Sequence, residues 1–117
     1  MNITAITRKL DLRRLTPEIP LDDSRSIVGG YASDLLSDVL AHAPEGGVLV
    51  TAQIHMNVIA VAAHTELAAV IFTLGREPEE PVRTKAVEER IALFVSEQTT
   101  FDVAGQLYAL GLRGTHE

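Results

Sequence analysis

Hydrophobic positions along this chain follow two alternating patterns. Short, nearly continuous apolar runs occupy 26–29, 48–51, 69–73 and 93–95. A run without polar alternation is what a strand covered on both faces requires, as in a parallel sheet. Each run is followed by a longer segment whose apolar residues recur three and four apart, the spacing of one helical face. In 33–43 that face is Leu35, Leu36, Val39, Leu40 and Ala43. In 56–65 it is Val58, Ile59, Ala62 and Ala63; in 81–90 it is Val82, Ala86 and Val87. Pro81 suits a first helical turn. The segment 99–110 carries Val103, Leu107 and Leu110, opens on a Thr99-x-x-Asp102 capping pattern, and meets Gly111 as a stop.

Four strand–helix units in succession predict parallel strands joined by right-handed crossovers. The expected fold is α/β: a single-domain α/β/α sandwich with a mainly parallel sheet. The first 25 residues break the rhythm. Ile3, Ile6 and Leu10 have helical spacing, 12–15 suits an edge strand, and "TPEIPLDDS" reads as a surface loop. The expected organisation is an N-terminal extension (1–25) packed on an α/β domain (26–112), followed by a tail (113–117).

Composition narrows the picture. The 117 residues suit one domain, and 46% hydrophobic content supplies a core. Aromatics are only 4%, so that core is aliphatic. The formal net charge is −6. Arg8, Lys9, Arg13 and Arg14 cluster, but Glu18, Asp22 and Asp23 follow at once, so no nucleic-acid partner is expected. The absence of cysteine excludes disulfides and thiolate chemistry. No run approaches the ~18 apolar residues of a membrane span. No segment has a signal-peptide layout, and the expected location is cytoplasmic.

Open parallel sheets collect ligands at the carboxyl ends of their strands. Four loops are expected there: "GGYASD" (29–34), "AQIHMN" (52–57), "TLGREP" (73–78) and "SEQTT" (96–100). Each feeds a helix N-terminus, where free N–H groups favour an anion. The candidate ligand-binding residues are therefore Gly29, Gly30, Gln53, His55, Asn57, Thr73, Gly75 and Ser96. Each has a plainer alternative. Gly29-Gly30 is a phosphate approach or an ordinary turn. Ser33 and Asp34 are helix-capping residues, and Asp34 with Asp38 lies more simply on a solvated face than around a metal. His55 is a base, a ligand contact or a turn residue. Arg76 and Glu77 contact an anion or pair on the surface. No phosphate-loop, nucleophile-elbow or H-E-x-x-H motif occurs. No catalytic residue, metal or cofactor is expected.

The stretch "GGYASDLLSDVLAHAPEGGVLVTAQIHMNVIAVAAHTELAAVIFTLGREP" (29–78) resembles the DRTGG domain family, and within it the short stand-alone DRTGG proteins. "GGYASDLLSDVLA" is its most specific part, and "SEQTTFDVAGQLYALGL" extends the resemblance over about 26–112. Related modules occur in some phosphotransacetylases and in inorganic pyrophosphatases with regulatory repeats. Stand-alone members are often labelled as related to HPr serine kinase, a label that does not transfer without a phosphate loop. Ile54-His55 stands where the family has Asp-Arg, and Thr73-Leu74-Gly75 where it has Thr-Gly-Gly. Losing the arginine removes a forked, fixed-charge donor. The resemblance implies an α/β sandwich, a regulatory or interaction role, and dimerisation.

These readings converge on a non-catalytic regulatory module that binds a small anionic or nucleotide-like ligand at the strand carboxyl edge. The alternative is a protein–protein interaction subunit of a metabolic or redox complex, without a small ligand. A homodimer is expected, with Ala60, Ala62, Ala63, Ala68 and Ala69 packing either between subunits or between helix and sheet.

Overall fold

The alternating runs fold into one sheet with helices on both faces. A computed structural model describes residues 1–114. The element order is α1 (Ile3–Lys9), β1 (Arg13–Arg14), β2 (Gly30–Ala32), α2 (Leu36–His42), β3 (Val48–Thr51), α3 (Asn57–His64), β4 (Ala69–Phe72), α4 (Glu80–Glu89), β5 (Ala92–Val95) and α5 (Thr100–Ala109). The strands lie in the order β1-β5-β4-β3-β2. Neighbours from β2 to β5 are parallel, and β1 is antiparallel to β5. Of the expected tail, only Arg113 and Gly114 fall within the described residues.

The two-residue period of the strands divides the core. Val48, Val50, Ala69, Ile71, Ala92 and Phe94 face one layer, with Ile3 and Ile6 of α1 and Val103 and Leu107 of α5. Leu49, Val70, Phe72, Leu93 and Val95 face the other, with Val39 of α2, Val58, Ile59 and Ala62 of α3, and Val82 and Ala86 of α4. All residues of β3, β4 and β5 are buried. Covering both faces is why these runs show no polar alternation. Each large side chain removed from water this way contributes about 1.5–3 kcal/mol.

The first parallel strand lies later than the sequence predicts. Residues 26–29 are not strand: the Ile27 N–H goes to the Met1 carbonyl and the Val28 N–H to the Gly46 carbonyl. Those bonds draw the segment toward the N-terminus and the turn before β3. Pairing in the sheet starts with Gly30 opposite Val48. Helix α2 is also shorter than its apolar spacing predicts. Leu35 and Leu40 are exposed, and of its seven residues Val39 alone is fully buried.

The N-terminal residues complete the β5 edge. Leu15 N–H bonds to the Leu93 carbonyl, and the buried Thr16 hydroxyl accepts the Leu93 N–H. Arg83 of α4 reaches back to the Leu15 carbonyl and to both carboxylate oxygens of Glu18. Ala62 and Ala69 are fully buried within the monomer, so neither can pack between subunits.

Candidate functional site at the strand carboxyl edge

Six of the eight sequence-predicted residues stand at one edge. Gln53, His55 and Asn57 follow β3, Thr73 and Gly75 follow β4, and Ser96 follows β5. These three strands are adjacent, so their loops are neighbours. Gly29 and Gly30 are at the opposite end. Gly30 opens β2, and its N–H donates to the Arg113 carbonyl on the strand's outer side. The displaced start of β2 is the reason: the glycines precede the strand instead of ending it.

The alternating polar residues after β3 solve a backbone problem. Thr51 Oγ1 accepts the Gln53 N–H at 3.0 Å. Gln53 Oε1 accepts the His55 N–H at 3.3 Å, and His55 Nδ1 accepts the Asn57 N–H at 3.0 Å. Each side chain satisfies the amide two residues on, the local bonding by which polar side chains build turns. Because Nδ1 accepts, the imidazole carries its proton on Nε2. Gln53 Nε2 and His55 Nε2–H therefore remain as donors while their acceptors are engaged.

Asp34 anchors the first step. Its Oδ1 accepts from the Thr51 hydroxyl and from the Ala52 N–H, both at 2.8 Å. It does not cap α2, whose N-cap is Leu35 with no side-chain bond. Ser33 Oγ instead accepts the Leu35 N–H. Nor does Asp34 pair with Asp38 at a cation. Asp38 is held by the Tyr31 hydroxyl at 2.5 Å and by His42 Nδ1 at 3.1 Å. The Tyr31 bond leads in holding its carboxyl below the usual range, and the same bond raises the Tyr31 phenol. Among the described residues, no group of three His, Asp or Glu side chains is placed to hold a metal.

The loops after β4 and β5 diverge, since β4 leads to α4 on one face and β5 to α5 on the other. Divergence of this kind opens a crevice in doubly wound folds. Here the crevice is closed by the protein's own bonds. Leu74 N–H reaches the Gln98 carbonyl, and Gly75 N–H reaches the Ser96 carbonyl, both at 2.8 Å. The Thr73 and Thr100 hydroxyls bond at 2.7 Å, and Ser96 Oγ accepts the Gln98 N–H. Thr73 and Ser96 are buried. They brace the edge from inside, while Gln53 is half-buried and His55 and Asn57 of the β3 loop are exposed. Arg76 is exposed, whereas Glu77 pairs with Arg13 of β1 at 2.6 Å.

Sequence reasoning missed Thr51, Asp34 and Thr100 as members of this network. Thr51 was legible, because the every-second-residue spacing begins there. Asp34 and Thr100 were not, because their partners lie 17 and 27 residues away.

Similarity to solved structures follows this architecture. The chain superposes on the CBS and DRTGG domains of the regulatory region of Clostridium perfringens pyrophosphatase, solved with its activator diadenosine tetraphosphate, at a TM-score of 0.69. The fold is DRTGG-like. The match covers 96% of this chain and 47% of that one, at 14% identity. The chain thus spans less than half the length of that structure, and at this identity the likeness is one of fold. No family model matches the chain, and no curated protein does.

Proposed function

We propose that this DRTGG-like domain is a non-catalytic regulatory module that senses a small anionic or nucleotide-like ligand at the strand carboxyl edge. The observation that carries this reading is the pair of side-chain donors after β3. Gln53 Nε2 and His55 Nε2–H are free to donate because their acceptor atoms serve the backbone. A ligand presenting oxygen acceptors, such as a phosphate chain, is complementary to them. The fold-level likeness to a regulatory region solved with a dinucleotide activator supports the same class. Gly29 and Gly30 have no part in this site.

Calorimetric titration with diadenosine tetraphosphate, AMP, ATP and inorganic phosphate tests the reading. Saturable heat that His55→Ala abolishes supports it. No heat from any of them, with His55→Ala unchanged, removes it.

A second reading, an interaction subunit that self-associates, rests on α5. Phe101 and Tyr108 are 86% and 59% exposed and lie seven residues apart on one helical face. Beside them, a groove of about 150 Å³ runs between α5 and the edge strand β2, lined by Tyr31, Ala32, Ala104 and Tyr108. Arg113 stacks on the Tyr108 ring 3.6 Å from its centroid.

A further inference from the structure

The amino end of the sheet, away from the proposed ligand edge, holds a cavity of about 190 Å³. Its floor is apolar, formed by Ile3, Ile27, Leu67 and Ala92, all buried. Arg25 and Arg90 both line it, from a loop and from the end of α4. Neither guanidinium is in an ion pair among the described residues, although acidic residues outnumber basic ones by 16 to 10 in the chain. Asp22 also lines the cavity: its Oδ1 accepts the Ser24 N–H and hydroxyl, and its carboxylate attracts Arg25 at longer range, so part of the Arg25 charge is already answered there and the two arginines leave a net positive charge.

The cavity wall is tied in place. The loop carrying Arg25 is bound to α1 and its approach: Asn2 Nδ2 donates to the Asp23 carbonyl, Thr4 Oγ1 to Asp23 Oδ1, and the Ile27 N–H to the Met1 carbonyl. Arg90 sits at φ +60 at the end of α4. Helices favour glycine at such a left-handed position, and an L side chain there carries a conformational cost. The backbone thus gives no reason for arginine at position 90.

We infer that this cavity is a second site, which takes a small organic anion. Its carboxylate or phosphate group lies between Arg25 and Arg90, and its short apolar body rests on the Ile3, Ile27, Leu67 and Ala92 floor. Guanidinium forks match both oxyanions. A pocket of about 190 Å³ that opens to solvent suits a short-chain acid or phosphate ester. The site is independent of the carboxyl-edge reading.

The test is a thermal-shift titration of the intact chain with n-butyrate, butyl phosphate and inorganic phosphate, with amide chemical shifts followed in parallel. At least one organic anion is expected to raise the melting temperature saturably and to move the Ile27, Ala68 and Ala92 amides. The arm that responds identifies the oxyanion. Arg25→Gln and Arg90→Gly should each weaken the response by about tenfold or more. Arg90→Gly relieves the left-handed strain, so its ligand-free melting temperature should equal or exceed that of the wild type. His55→Ala should leave the response intact, which separates this site from the carboxyl edge. Three results would overturn the inference: no saturable shift below ~10 mM, a full response in the Arg25→Gln/Arg90→Gly double variant, or inorganic phosphate binding as tightly as the organic anions.

Discussion

Asn57 donates its backbone N–H to His55 Nδ1 at 3.0 Å, and this bond decides what the histidine offers to solvent. With Nδ1 engaged as an acceptor, the proton resides on Nε2. Long-range nitrogen–proton NMR correlations should show His55 as the Nε2–H tautomer at neutral pH. His55→Ala should lower stability by about 0.5–1.5 kcal/mol, the net worth of one intramolecular hydrogen bond. His55→Asn, which can accept the same amide through its side-chain oxygen, should recover most of it. Urea midpoints of the three proteins measure the difference.

Asp34 should matter more than its exposure suggests. Its carboxylate serves the fully buried Thr51 hydroxyl and the Ala52 N–H. Asp34→Ala leaves both donors without that partner, at a cost of about 1–3 kcal/mol. Asp34→Asn keeps an acceptor oxygen and should cost less. Hydrogen exchange at Ala52 should accelerate in the alanine variant.

Two glycines should tolerate alanine differently. A Cβ at Gly75 would sit 2.7 Å from Glu97 Oε1, the end of a flexible side chain, at φ +65. Glu97 can move, so Gly75→Ala should cost about 1 kcal/mol, mostly backbone strain. Glu97→Ala in the same chain should recover little of that. A Cβ at Gly47 would meet Pro44 Cγ at 2.7 Å and the Pro44 and Gly29 carbonyl oxygens at 3.0 and 3.1 Å. Backbone cannot yield as easily, so Gly47→Ala should cost about 2–3 kcal/mol. Thermal unfolding ranks the pair, and equal losses would contradict this account.

Stability should decline at acid pH. The Arg13 hydrogen bond lowers the Glu77 pKa. Glu18 is lowered first by its own backbone N–H and then by Arg83, and Asp38 is lowered first by Tyr31. A folded pKa below the unfolded one stabilises the fold fully above the usual carboxylate range. That stabilisation is lost as the pH falls through the folded values. The urea midpoint should be flat from neutrality to about pH 5 and fall below it. Glu18 and Glu77 are exposed and Asp38 is half-exposed, so the effect should be modest and shrink with added salt. Arg83→Met should make the acid slope shallower.

If α5 carries self-association, charge on its exposed face should prevent it. Phe101→Glu with Tyr108→Glu should shift sedimentation toward the monomer while leaving the circular dichroism unchanged. A wild-type chain that is already monomeric at micromolar concentration would remove the self-association reading.

The carboxyl-edge residues show how far local sequence reaches. Gln53, His55 and Asn57 were found because strand ends and turns are written in contiguous residues. Their common purpose was not, because the same alternation suits a ligand pocket and a staircase of turns. Gly29 and Gly30 were misplaced by a strand boundary. "SIVG" has the apolar content of a strand, yet its amides bond to Met1 and Gly46. Pairing of that kind depends on residues up to 26 positions away and leaves no trace in the local pattern.

The sequence by itself determined the alternation of parallel strands and helices, a core that is mainly aliphatic around the buried Phe72 and Phe94, and the position of α5, whose capping Thr99 accepts the Asp102 N–H as its spacing predicts. Those features follow from periodicity and local hydrogen bonding, which act over a few residues. Tertiary structure alone decided that the crevice between the β4 and β5 loops is closed by Thr73, Thr100, Ser96 and Gln98. It also decided that Asp34 braces Thr51, and that Arg25 and Arg90 share one cavity. Each joins groups far apart in the chain, and only the packed sheet brings them to one bond or one cavity.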